Sequence, residues 1–159
     1  MLDKMNEYEE FLFHRIDDSD LLTGFVIGHL VIEHLLEEII LCYDIKLRKH
    51  FLTLSHSKKI SFINSLDLIP DNVANCLQSI NKMRNKFAHQ LGYKPNKGEL
   101  LNLIEQCLDS FNDMTDGLEQ LHCALKEYDD LLEAQEKDGV GLADLFIQVV
   151  YDLEGYAKK

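Results

Sequence analysis

Apolar side chains recur every three or four residues along nearly the whole of this 159-residue chain, and only two prolines, Pro70 and Pro95, interrupt the pattern. That spacing stacks side chains on one face of a helix, whereas a half-buried strand alternates every two residues. No alternating stretch, low-complexity tract or internal repeat is visible. The pattern predicts an all-α fold, a helical bundle of five to seven helices in one domain spanning residues 1–159. With 46% apolar and 28% charged residues the composition is that of a globular protein, long enough to bury a core without disulfides or metal.

The spacing places a weakly amphipathic helix over Leu2 to about Arg15, then a polar break at Asp17, Asp18, Ser19 and Asp20 that supplies N-caps. A second helix, from about Ser19 to Tyr43, has its core face on Leu22, Phe25, His29, Ile32, Leu35, Leu36, Ile39 and Ile40. Val26, Leu30 and Leu41 make it apolar on the opposite side too, as in a central helix or one at an oligomer interface. A basic loop, Lys46 to His50, precedes a short helix near His56–Leu68 that Pro70 stops. Asp71 is the expected cap of the next helix, which ends at Gly92. A stripe running Leu101, Ile104, Leu108, Phe111, Met114, Leu118, Leu121, Leu125, Tyr128 and Leu132 reads as one long helix or two, with Asp116-Gly117 as the weak point. That stripe fits either a coiled-coil dimer or, because it slips at Gly117, a helix laid on its own bundle. Gly139-Val140-Gly141 breaks the chain again before a last helix carrying Leu142, Leu145, Phe146, Val149 and Leu153.

The net charge of −12 argues against duplex DNA as a partner, but it is unevenly distributed. Residues 1–43 carry 2 basic and 10 acidic side chains, and residues 100–159 carry 4 basic and 14 acidic. Residues 44–99 carry 10 basic and 4 acidic, a net +6 in the middle third. A basic cluster attracts phosphate-rich partners such as RNA. Equally, it could pack against the acidic ends and neutralise them. The acidic start does not resemble a signal peptide and no apolar run is long enough to span a bilayer, so the expected location is cytoplasmic with no membrane partner. Cys42, Cys76, Cys107 and Cys123 form no C-x-x-C pair and read as buried, reduced thiols.

The string Met83-Arg84-Asn85-Lys86-Phe87-Ala88-His89 lies inside the basic segment, near the end of an amphipathic helix. Arg84 falls at the edge of the core side, and Asn85 and His89 point to the far side with Gln78 and Asn81. A guanidinium so placed needs a carboxylate or a phosphate, and Glu33 and Glu37 are the natural carboxylates. In that case Arg84 ties two helices together and His89 only ends its helix. In the alternative, His89 moves the proton of a ribose 2′-OH, Arg84 stabilises charge building on the phosphate, and Asn85 holds the imidazole or a phosphate oxygen. One such set lacks a second acid or base, which a two-fold dimer would supply. The i,i+4 pairs of His29, Glu33 and Glu37, and of His34 and Glu38, could hold a metal but read as core or surface polar pairs, since no second helix repeats Glu-x-x-His. No metal and no cofactor are expected.

Arg84-Asn85-Lys86-Phe87-Ala88-His89 resembles the R-x(4–6)-H signature of the HEPN superfamily of helical bundles, in which a polar residue commonly follows the arginine. Lys58-Lys59-Ile60, Phe62-Ile63, Leu66, Leu68-Ile69-Pro70 and the earlier Gly28-His29-Leu30-Val31-Ile32-Glu33 resemble the branch that includes mannitol-operon-repressor-like proteins. The resemblance covers about residues 20–110 and leaves an acidic C-terminal extension, about 111–159, outside it. It implies a homodimer with Arg/His pairs meeting at the dimer cleft, and a metal-independent RNase of a toxin–antitoxin or defence system. It equally implies a non-catalytic regulator that binds a protein partner, an antitoxin or a component of transcription regulation. Arg84, Asn85 and His89 are then the candidate catalytic residues, with Glu33 in support.

Overall fold

The computed structural model describes residues 5–112 and 115–159. Nine α-helices and no strands occur among the described residues, arranged as a helical bundle. Helix α1 (Met5–Leu12) passes into a π-helical turn at Phe13–Asp17, and Leu2, where the first helix was expected to begin, lies outside the described residues. Helix α2 (Leu21–Tyr43) starts at the polar break, where the Asp20 carboxylate accepts the Thr23 N–H at 2.8 Å. The basic loop contains a 3₁₀ turn (Ile45–Leu47) and the single turn α3 (Arg48–Phe51). Helices α4 (His56–Ser65) and α5 (Asp71–His89) flank Pro70. Asp71 is the first residue of α5 rather than its cap, because Pro70 holds the cap position in an extended conformation; the Asp71 carboxylate instead accepts the Asn64 amide at 3.0 Å. Gly92, at φ +75°, turns the chain in the left-handed region beyond the end of α5.

The C-terminal stripe is neither one helix nor two. It forms α6 (Lys97–Ser110), α7 (Gly117–Glu127) and α8 (Leu131–Asp138), which is why the helix count exceeds seven. Helix α6 opens with a capping box, the Asn96 amide oxygen accepting Glu99 N–H at 2.9 Å and the Glu99 carboxylate accepting Asn96 N–H at 3.0 Å. It stops at Phe111, whose backbone is extended. Tyr128 is extended in the same way, and Asp130 then caps α8 by accepting the Glu133 N–H at 2.9 Å. Gly139 ends α8 at φ +69°, and α9 (Leu142–Ala157) completes the chain. Met114 of the stripe lies outside the described residues.

Helix α2 is the central element, wrapped by α9, α5, α4 and the π-helical turn. Phe25, Ile32, Leu36 and Ile40 on α2 and Leu145, Phe146, Val149 and Leu153 on α9 are essentially without solvent exposure. The two helices approach closely at Gly28, where any added Cβ would sit inside 3.0 Å of the Phe146 ring. The C-terminal extension therefore supplies a wall of the same core as α2. Of the four cysteines, Cys76 and Cys107 are buried with Sγ atoms 3.1 Å apart, joining α5 to α6, whereas Cys42 and Cys123 are exposed and so depart from the expectation of four buried thiols.

Candidate functional site

Of the residues singled out in the sequence, Glu33, Arg84 and Asn85 lie near one junction of three helices, and His89 lies beyond it. Helices α2 and α5 run antiparallel, with Phe25 against Phe87 at 5.4 Å between ring centroids and the Arg84 cation within electrostatic range of His29. Helix α4 crosses the same region, since Ser57 and Ser61 bond the Gln78 amide of α5. Asn81, next on that face, is buried. The side of α5 expected to be its far side thus faces α4 and α2 as far as Asn81. Beyond Asn81 it opens to solvent again at Asn85, half-buried like Gln78, and at His89, exposed.

Glu33 is the centre of the junction, but Arg84 is not its partner. The Lys59 ammonium of α4, itself buried, binds Glu33 Oε1, while Glu37 holds Arg48 at 2.8 Å. Both carboxylates assigned to Arg84 from the sequence are therefore taken by other cations. Arg84 instead donates from one terminal nitrogen to Asn85 Oδ1 at 3.0 Å, and its buried Nε has no hydrogen-bond partner. No carboxylate pairs with Arg84 among the described residues.

Two imidazoles complete the cluster. His29 Nε2 lies 3.3 Å and His56 Nδ1 3.4 Å from the same oxygen, Glu33 Oε2, and the rings lie side by side with centroids 3.9 Å apart. Burial and the Arg84 cation lower the His29 pKa. Burial, with His29 adjacent, pushes His56 down to about 4, so this imidazole is neutral at pH 7. Burial alone would raise the Glu33 carboxyl, but the Lys59 ammonium outweighs it and holds Glu33 below the usual range.

Arg84 and His89 do not meet within one chain. Five residues at ~100° each separate them by about 140° around α5, leaving Arg84 over the junction and His89 outside it. The pairing of Arg84 with Glu33 or Glu37 expected from the sequence is replaced by the Arg84–Asn85 bond, and His56 and Lys59 were not anticipated at Glu33. The available signal was their i,i+3 spacing on the face of α4 that also buries Ile60 and Ile63.

The basic third is only partly neutralised by the acidic ends. Arg48 and Lys59 pair with α2, and Lys86 pairs with Glu99 at 2.9 Å inside the segment. Lys46, Lys49, Lys58, Lys82 and Lys94 are exposed and lack a carboxylate partner among the described residues. No described helix is long and apolar enough to cross a membrane. No family model, curated protein or solved structure matches this chain.

Proposed function

We propose that this chain is a HEPN-like endoribonuclease of the toxin or defence type, acting on RNA as a homodimer and without metal in its chemistry. The observation that supports it most is Arg84, a half-buried guanidinium with a neutral amide as its hydrogen-bond partner and no carboxylate beside it. A cation kept in place yet uncompensated is suited to a phosphate, whose charge rises as a 2′-oxygen attacks. Asn85 accepts from that guanidinium, so its part is to orient Arg84 rather than to hold the imidazole. His89, exposed at the end of α5, is open to take a proton from the attacking hydroxyl. A second copy of the set, brought across a two-fold interface, supplies the group that protonates the leaving oxygen. Glu33 supports the site by fixing Lys59 and the imidazoles beneath Arg84.

The test is cleavage of single-stranded RNA in EDTA by wild type, Arg84→Ala and His89→Ala. The wild type cuts and each variant loses at least ~100-fold, the usual scale for removing a general base or a charge-stabilising group. Equal, negligible cleavage by all three refutes the reading. A second reading, a non-catalytic regulator that docks a protein, is favoured by the apolar side chains left in solvent, Leu30 at 60%, Tyr43 at 54% and Ile45 at 71% exposure. It predicts stoichiometric capture of a protein partner that Leu30→Asp abolishes.

A further inference from the structure

We propose that His29, Glu33 and His56 form a binding site for one divalent ion of the zinc class, clasping α2 to α4. The inference is independent of whether Arg84 and His89 cleave RNA. It starts from three ligand atoms, one from each residue, that all lie within 4.8 Å of one another. Two of the separations, 3.3 and 3.4 Å, share Glu33 Oε2 as their common corner. Ligands held at roughly 2.0–2.1 Å in a tetrahedron sit about 3.3 Å apart, so an ion enters between these atoms with little movement of either helix.

One of the three ligand atoms, His56 Nδ1, is unsatisfied without an ion. The imidazoles are each only 9% exposed. His56 Nδ1 approaches the carboxylate without the geometry of a hydrogen bond and is buried with no partner. Two adjacent imidazoles, tilted 38° to each other, offering nitrogen beside one carboxylate oxygen is the donor set that imidazole-preferring ions use. Lys59 binds the other oxygen, Oε1, which leaves Oε2 to ligate alone and fixes the carboxylate's orientation. Three protein ligands leave the fourth position of a tetrahedral ion open, and the Lys59 and Arg84 cations beside it favour a small anion or hydroxide there. The sequence showed only the His29/Glu33 pair on α2; the third ligand comes from a helix whose packing the spacing did not reveal.

The experiment is zinc and cobalt titration of the full chain in a Cys42→Ser/Cys123→Ser background, so that exposed thiols do not compete. One equivalent binds per chain, and His29→Ala and His56→Ala each weaken binding at least 10-fold, while His89→Ala does not. Visible absorption of the cobalt form reads the ligand set in protein with an intact site and shows nitrogen and oxygen ligands without a thiolate charge-transfer band. Absence of binding, stoichiometry unaffected by both histidine variants, or a thiolate band overturns the proposal. Because the titration contains no RNA and the cleavage assay contains EDTA, failure of one leaves the other standing.

Discussion

Gly28→Ala isolates the α2–α9 contact on which the central helix depends. An alanine in mid-helix favours folding by about 0.5–1 kcal/mol over glycine when nothing opposes it. Here the new methyl would lie within 3.0 Å of three ring carbons of Phe146, a side chain 1% exposed and itself edge-on to Phe25 at 5.6 Å. The ring has no free space to retreat into, so the overpacking cost belongs at the upper end of the usual range, ~3 kcal/mol. The net expectation is a loss of about 2 kcal/mol, or a fall in Tm of roughly 4–8 °C for a domain of this size. Gly24→Ala, one turn earlier, is the internal control. Its methyl meets the end of a flexible side chain, Leu142 Cδ2 at 2.7 Å, and sits 3.1 Å from Ile16 Cγ2, a contact that needs only a few tenths of an ångström, so a rotamer adjustment of ~0.5–1.5 kcal/mol roughly cancels the helix gain. Urea unfolding followed by circular dichroism at constant m-value measures both. Combining Gly28→Ala with Phe146→Leu should recover at least ~0.5 kcal/mol beyond additivity. A Gly28→Ala protein as stable as wild type, or strict additivity with Phe146→Leu, would refute the close-approach argument.

Two further outcomes follow from buried groups. Asp144 is raised to about 6 by burial, with Asp17 adjacent, so the folded chain holds a proton there that the unfolded chain releases near 3.8. Its contribution to stability is therefore greatest below pH 4 and is lost as pH rises through 6, by up to about 3 kcal/mol; the stability difference between wild type and Asp144→Asn should move in that sense between pH 4 and 7, and a flat difference counts against it. Cys107 is raised well above the ordinary thiol range by its hydrogen bond to Cys76 and by burial. A thiol reagent should titrate Cys42 and Cys123 rapidly in the native protein and reach all four cysteines only on unfolding, with fast reaction of all four as the contrary result.

How much was legible in the sequence depended on whether the signal was local. Asp20 and the unbroken apolar spacing behind it located α2, because a cap and a periodic face are both encoded within one helix. The C-terminal stripe misled for a physical reason. Phe111 and Tyr128 have extended backbones that end helices, yet their side chains remain on the apolar register because α6, α7 and α8 border a shared core. Periodicity records which side of the chain is buried, and a break that preserves that side leaves it unchanged. The site divides along the same line. Arg84 and Asn85 are sequence neighbours that do bond. The choice of Lys59 over Arg84 as partner of Glu33 is made by the crossing of α4, which separates Glu33 from Lys59 by 26 residues.

The acidic ends are compatible with the RNA reading once their charges are followed to their contacts. Asp17 accepts the Ala143 N–H at 3.0 Å, Asp144 accepts the Gly141 N–H at 2.8 Å, and Asp152 accepts the Asn112 N–H at 3.1 Å. These carboxylates tie together the π-helical turn, the start of α9 and the end of α6. Helix α9 lies on the face of α2 that carries Gly24 and Gly28, while His29 and Glu33 are turned ~100–180° away, toward α4 and α5. On that reading Asp144 and Asp152 of α9 are cladding on the far flank of the site helix, whereas Asp129 and Asp130 border Lys94 and Lys97, and Arg84 with Lys46, Lys49, Lys58 and Lys82 remains open to a polyanion. Raising the ionic strength should accordingly weaken RNA binding steeply, with log affinity falling by ~0.7 per log salt for each phosphate neutralised. Salt-insensitive binding would place RNA elsewhere on the surface.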